Sequence, residues 1–541
     1  MDSLTSIKSQ SWLSWFLRGT LILFFLILFA KLFEIQIIKG GYFRDLSEEN
    51  RIRHVPIPAP RGKILARGGE VLAGNIEIKK RIKFLPQGGF EITDDLTGAS
   101  PEDTIIDYKR VYPGDSMLAH AVGYLAYVGE GEVGKIDPAC PEKGPRISGA
   151  LIGRTGLEGS YDCQLAGVSG EELIEVSTSG KKIRTLGRKN PIPGQDIKTT
   201  IDYGLQLEVS ADLEGKKGAA VVTDLAGQVL AFYSSPSFNP NLFIGGGNNQ
   251  KIVDLLKSLD LPFFDRVISG TFHPGSVFKP LVAIAALQEG SIDKNFVFTD
   301  PGVITVSGFS YTNWYFTEYG RTEGTISLVR AIARSADTFF YKIGEMVGPE
   351  AIAKWAEKFG LNKKTGIDIA GEVEGLIPTP EWKEETKKEA WFLGNTYHMS
   401  IGQGDVSLTP LEVNTYISTI ANGGVLCRPG FLITQSPVCS NLEIKKGNLD
   451  LVKEGMKEAC SSGGTAYTFF DFAQKHAGVE VACKTGTAEV ETDGTPHAWF
   501  TLFAPADDPR VVATVLIEKG GEGSSVAGPI ARKIMDYYFN D

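Results

Sequence analysis

HPGSVFKPLVAIAALQ, residues 273–288, is the stretch on which the reading of the chain turns. A turn-forming His-Pro-Gly precedes Ser276, and an apolar run follows it and ends at Gly290. That run predicts a buried helix over 280–288. Pro280 stands early in it, where a missing N–H costs least. Ser276 and Lys279 are then one turn apart on the same face. An ammonium within reach of a hydroxyl, at a helix N-terminus whose dipole favours a nascent oxyanion, suits a nucleophile in acyl transfer.

The tetrad S-x-x-K is weak evidence by itself, since it also occurs as Ser179–Lys182 and Ser291–Lys294. An active-serine site also needs a proton shuttle and an oxyanion hole, which the further motifs S-x-D/N and K-T-G supply in one known solution. Each of these occurs twice as well: Ser210–Asp212 and Ser335–Asp337, Lys364–Gly366 and Lys484–Gly486. Context separates them. Ser179 lies in a polar turn, Ser291 follows the end of the helix, and Ser210 sits in a polar stretch ahead of the other motifs, whereas Ser335 lies in a helical pattern or at a break in it. Lys364 has no strand before it, whereas Lys484 ends the apolar strand VEVAC and continues as K-T-G-T. The coherent triple is Ser276, Ser335 and Lys484.

The rest of the chain bounds what surrounds this site. Its 541 residues exceed one ordinary domain, and 42% hydrophobic with 22% charged residues describe a globular protein. A net charge of −10 offers no basic surface for nucleic acid. The six cysteines form no CxxC pair and no cluster with His, so they read as buried or incidental thiols, too few to staple the chain.

Trp12–Ile38 reads as a membrane span. Its uncharged core, Gly19–Ala30, is twelve residues long, short of the roughly 20 that cross hydrocarbon. Arg18 and Lys31 can snorkel, which recruits the flanking apolar residues. No small-residue cleavage site precedes a mature start, so an anchor is expected rather than a removed signal peptide. The expected organisation is a cytoplasmic head (1–11), a transmembrane anchor (12–38), a strand-rich region (41–194) and a larger region (200–541). In the last, GAAVVTDLAGQVLAFYS (218–234) predicts two strands about a turn at Ala226-Gly227, and 280–288, 328–347 and 411–424 predict helices. Strands and helices mix without a βαβ repeat, so the fold class expected is α+β.

On these motifs the chain resembles the class B penicillin-binding proteins, which are peptidoglycan D,D-transpeptidases. Arg61-Gly62 with Leu72-Ala73-Gly74-Asn75, and Gly153, Gly156, Leu157, Glu158 and Tyr161, resemble boxes of that family's non-catalytic, dimerisation-like pedestal; Ala66 and Gly68 depart from it. Asp337 and the run His497-Ala498-Trp499-Phe500 resemble the elongation-type subfamily rather than the division type, and Glu489 departs where Gln is usual. The resemblance implies a serine β-lactamase-like transpeptidase domain with an antiparallel sheet flanked by helices. It implies Ser276 as nucleophile, Lys279 as general base, Ser335 as proton relay, and Asp337 orienting Lys279 or accepting a hydrogen bond from substrate. Lys484 and Thr485 would bind the substrate carboxylate. Backbone N–H groups of Ser276 and Thr487 would form the oxyanion hole, Gly486 would be small so that substrate can approach, and His497 would line the substrate site. Implied partners are stem peptides on lipid II-derived glycan strands, β-lactams, the membrane and a multi-pass glycosyltransferase of the elongation machinery, with no cofactor. Some relatives hold a metal between the first two motifs; residues 280–335 contain no His or Cys, so no metal is expected. Since peptidoglycan lies outside the cytoplasmic membrane, the body is expected outside it.

A division-type role is the alternative within the family. A membrane-bound β-lactamase or carboxypeptidase shares the three motifs, but the long N-terminal region, the anchor and the missing Glu-x-x-x-Asn deacylation motif speak against it. A β-lactam sensor or inactive scaffold is disfavoured by the intact triad.

Overall fold

The computed structural model describes residues 9–85, 89–177, 181–245, 248–490 and 494–540. Its architecture is α+β, in two compact units: residues 1–60, 76–108 and 167–193 form the first, and 61–75, 109–166 and 194–541 the second. The chain therefore passes between the two units several times. Residues 1–8 of the expected head lie outside the described residues.

In the first unit, an α-helix over Ser9–Phe33 continues through a π-helical turn, Glu34–Ile38. The apolar span Trp12–Ile38 is 27 residues long and none of it is buried. At 1.5 Å per residue it reaches about 40 Å, enough to cross a bilayer core of about 30 Å. It fits a single-pass anchor. Beyond it, Ile52–Ile57, Gly170–Val176 and Lys182–Lys189 form an antiparallel sheet in that order. Val55, Ile174 and Val176 bury one face of it with Ile82 and Phe84.

The second unit is built on an antiparallel sheet of five strands in the order Val229–Ser235, Gly218–Thr223, Val511–Ile517, His497–Ala504, Ala482–Ala488. The predicted hairpin at Ala226-Gly227 joins the first two, with Gly227 at φ 84°. Alternate residues face opposite sides. Phe500 and Leu502 pack with Leu205, Val209, Ile530 and Ile534 of the helices Tyr203–Asp212 and Gly528–Asn540. Trp499 and Phe503 pack on the other side with Leu281, Ile284 and Ile417. The helix Lys279–Gln288 is buried from Lys279 to Leu287, which explains why its sequence shows no polar stripe.

Two boxes of the strand-rich region meet in this unit. Glu158 is fully buried and takes Arg61 Nε at 2.7 Å on one oxygen and Arg110 Nε at 2.7 Å on the other. Burial works to raise its carboxyl, and the two arginines outweigh it, holding the group below its ordinary value.

The cysteines overturn their sequence reading. All six pair, as Cys140–Cys163, Cys427–Cys439 and Cys460–Cys483. Partners 12 to 23 residues apart carry no local signature, and only the fold brings them together. Asp137 lies beside Cys140 and Cys163, but sulfurs bonded to each other are no longer thiolate ligands. Denatured without reductant, the chain is expected to show no titratable thiol, and all six after reduction; two or more thiols before reduction would overturn the pairing.

Candidate active site

The turn that carries Ser276 is held from three directions. His273 Nδ1 hydrogen-bonds the Val406 carbonyl at 2.6 Å, Trp499 Nε1 donates to the His273 carbonyl at 2.9 Å, and Gly275 N donates to the Gly402 carbonyl at 2.9 Å. Gly275 has φ 56°, and a Cβ there would stand 2.9 Å from the Thr487 carbonyl. A Cβ on Gly402 would come within 2.3 Å of the Gly275 oxygen. Ser276 itself sits in a 3₁₀ turn, Gly275–Phe278, and the α-helix begins at Lys279. The two residues thus flank a junction rather than sharing one regular helix. Ser276 Oγ has no hydrogen-bond partner among the described residues.

Lys279 is turned to the second motif instead. Its Nζ donates to Asp337 Oδ1 at 2.6 Å, to the Ser335 carbonyl at 2.7 Å and to Ser335 Oγ at 3.2 Å. Lys484 Nζ donates to the same Ser335 Oγ at 2.9 Å and to the Thr485 carbonyl at 3.0 Å. Ser335 therefore bridges two fully buried lysines. It can do so because it breaks the helical pattern of 328–347: the helices are Leu328–Arg334 and Asp337–Val347, and Ser335 lies between them at φ 58°. Non-glycine residues rarely adopt that left-handed conformation, and they do so most often where function holds them.

Burial pushes Lys279 below the ordinary lysine value, and the charge and hydrogen bond of Asp337 work against that shift. Burial and then the charge of Lys279 push Lys484 well below its ordinary value, again opposed by Asp337.

Lys484, Thr485, Gly486 and Thr487 all lie on the strand Ala482–Ala488, at the edge of the sheet. Thr485 Oγ1 is 2.9 Å from Thr465 Oγ1. Gly486 has a reason the sequence did not disclose. A Cβ there would stand 2.9 Å from Trp499 Cβ and 3.0 Å from both the Pro274 carbonyl and Val277 Cγ1. Its smallness lets the turn that carries Ser276 close on the strand. Thr487 is exposed, and the approach of Gly275 to its backbone sets Ser276 and Thr487 on adjoining segments. His497 opens the next strand opposite Ala488; its Nδ1 accepts from Lys519 N at 3.1 Å, and its ring stands edge-on to Phe272.

Behind Asp337 stands a layer that sequence reasoning missed. Trp314 N donates to Asp337 Oδ2 at 3.0 Å, and Asp337 N donates to Asn313 Oδ1 at 3.2 Å. Asn313 Nδ2 in turn donates to Asp300 Oδ2 at 2.7 Å. Burial works to raise the Asp300 carboxyl, but Glu323, Thr338, Gly302 and Asn313 all donate to it and hold it below its ordinary value. Nothing in the motifs pointed to Asp300, Asn313 or Thr465.

The competing motif matches lie elsewhere. Ser210 donates to the Leu207 carbonyl within its own helix, and Thr365 of the other K-T-G is bound to Glu372. Ser291 follows the end of the buried helix, and Ser179 lies outside the described residues.

Residues 218–536 match the family described as the penicillin binding protein transpeptidase domain, and 77–199 the penicillin-binding protein dimerisation domain. A curated relative, peptidoglycan D,D-transpeptidase MrdA of Acinetobacter baumannii, is 31% identical over 97% of this chain and 87% of its own length. Among solved structures, penicillin-binding protein 2 of Helicobacter pylori, in its complex with MreC, matches with a TM-score of 0.79 and 26% identity. That match covers 91% of this chain and 99% of the other. A chain from a peptidoglycan synthase complex, described as coordinating polymerization and crosslinking, matches with a TM-score of 0.75 and 28% identity, over 97% and 98%.

Asp337→Asn removes the one charge that resists proton loss from Lys279 and Lys484. The neutral fraction at a given pH rises, so the acid limb of the acylation rate against pH is expected to move to lower pH. A limb that stays in place or moves up would show that Asp337 does not set the lysine charge state.

Proposed function

The chain belongs to the penicillin-binding protein transpeptidase family, and we propose that it crosslinks peptidoglycan stem peptides through an acyl-enzyme on Ser276. It is a serine-type D,D-transpeptidase. The observation that carries the residue assignment is the Ser335 hydroxyl shared by Lys279 and Lys484.

In the forward half-reaction, Ser276 Oγ bonds to the carbonyl carbon of the penultimate D-Ala. For Lys279 to take the Ser276 proton it must first be neutral. Ser335 offers the route: Lys279 passes its proton through the hydroxyl to a neutral Lys484, then accepts the one from Ser276. Backbone N–H groups of Ser276 and Thr487 stabilise the tetrahedral oxyanion. The C–N bond breaks, the terminal D-Ala amine leaves with a proton delivered through Ser335, and the acyl group remains on Ser276. An amine of a neighbouring stem then attacks the ester carbonyl and passes a proton to the same lysines, the C–Oγ bond breaks, and Ser276 Oγ takes a proton back from Lys279. Lys484 and Thr485 sit where the substrate carboxylate can be held, and the free edge of their strand can pair with an extended peptide. Asp337 has both oxygens engaged by Lys279 and Trp314, which supports its orienting role over a substrate contact.

The body lies outside the cytoplasmic membrane. Three disulfides in the body support this, because such bonds persist in oxidising compartments and are rare in the cytosol. The working partner is a multi-pass glycosyltransferase that polymerises the strands this chain crosslinks, in cell elongation. The likeness to a synthase complex that couples the two activities supports it.

A membrane-impermeant fluorescent β-lactam added to intact spheroplasts is expected to label the chain covalently and to leave Ser276→Ala unlabelled. Labelling of the alanine variant overturns the nucleophile, and labelling of the wild type only after lysis overturns the topology. A fluorescently tagged copy is expected along the side wall of growing cells; concentration at the septum would assign it to division.

A further inference from the structure

The second unit contains a cavity of about 400 Å³ that none of the catalytic-motif residues lines. Its size falls in the range of small-molecule sites, about 300–1,000 Å³. Aromatic rings make its walls: Tyr124 stacks on Phe243 at 4.1 Å between centroids, and Phe238 lies 4.6 Å from Phe263 and 5.7 Å edge-on from Tyr124. Such a cluster could be ordinary core, but here it borders open space, and Phe243, Phe263 and Tyr124 are only partly buried.

A carboxyl shares this space. Asp265 lines the cavity, accepts a hydrogen bond from Val267 N at 3.0 Å and makes no ion pair among the described residues. Burial pushes it up to about 7, outweighing the backbone hydrogen bonds from Val267 and Ile268 and the charge of the adjacent Arg266. Arg266 is not paired with it. Its Nε is 2.5 Å from Glu518 Oε1, and its other nitrogens donate to the carbonyls of Asp260, Leu261 and Phe264. His120, also on the wall, adds no positive charge, because burial holds its imidazole down to about 4. The cavity thus combines aromatic faces, which attract cations, with a carboxyl that lacks one.

We propose that this cavity binds a small alkylammonium group, with Asp265 as its counter-ion and Tyr124, Phe243 and Phe263 as its walls. The ammonium supplies the missing charge and hydrogen-bond donors, and the alkyl chain fills the apolar remainder. A neutral ligand of the same shape would leave Asp265 uncompensated, so charge is the discriminating feature.

Calorimetric titration of the full chain in detergent micelles at pH 8 tests this, with n-pentylammonium chloride and n-pentanol as probes. The ammonium is expected to bind at least tenfold more tightly than the alcohol. Asp265→Asn, which keeps an acceptor for Val267 N, is expected to abolish that preference while β-lactam labelling of Ser276 continues. Should Asp265→Asn fail to label, Phe243→Leu serves instead, with an expected several-fold loss for the ammonium. Equal affinities for the two probes, no ammonium binding, or a preference that survives in the variant that labels would each overturn the proposal.

Discussion

Two lysines share one serine hydroxyl in the core of this protein, and much of the surrounding structure can be understood as what makes that arrangement tolerable. Lys279 and Lys484 are both fully buried, and both donate to Ser335 Oγ. Two ammonium ions at that separation in a low-dielectric interior repel strongly, and one carboxylate, Asp337, can offset only one of them. The cheaper state carries a single positive charge. Asp337 contacts Lys279 directly, which favours the charge there, while burial and the charge of Lys279 push Lys484 well below its ordinary value. A hydroxyl that hydrogen-bonds both can exchange the two states with little movement of heavy atoms.

That geometry depends on the close approach of three separate segments. The Ser276 turn, the K-T-G strand and the Gly402 turn meet through Gly275, Gly486 and Gly402, and a Cβ on any of them would collide with backbone or with a packed side chain. Trp499 secures the contact from inside the sheet, fully buried and donating its indole N–H to the carbonyl just before the turn. Close packing of this kind transmits displacement, so changes at Gly402 or Trp499 act on Ser276 without touching substrate.

How much of this was legible follows from the range over which each feature is specified. Ser276, Ser335 and Lys484 could be singled out because each motif is local and its context readable: a turn before a helix, an apolar strand before a lysine. The paired strands of 218–234 and the buried helix after Ser276 were legible for the same reason. The disulfides were not, because Cys460 and Cys483 belong to different elements and become neighbours only when helix Lys446–Ala459 packs on the K-T-G strand. The break at Ser335 was one of two readings left open, since apolar spacing runs through 328–347 without a glycine at the αL position. The packing reason for Gly486 was hidden for a related reason. Its neighbours Pro274 and Val277 lie more than two hundred residues away in the chain.

Asp300 shows why motif reading stops at the first layer of such a site. It touches neither lysine, yet through Asn313 it fixes the backbone of Asp337, and the same excursion of chain delivers Trp314 N to the carboxylate. Both Asp337 oxygens are thereby committed, one to the lysine and one to the protein. An asparagine could keep the Trp314 hydrogen bond and accept from Lys279, but it could not hold the charge. The carboxylate at this position is accordingly turned inward, to the Lys279 ammonium and the Trp314 backbone, and holds beside the two lysines a charge that an asparagine would not supply.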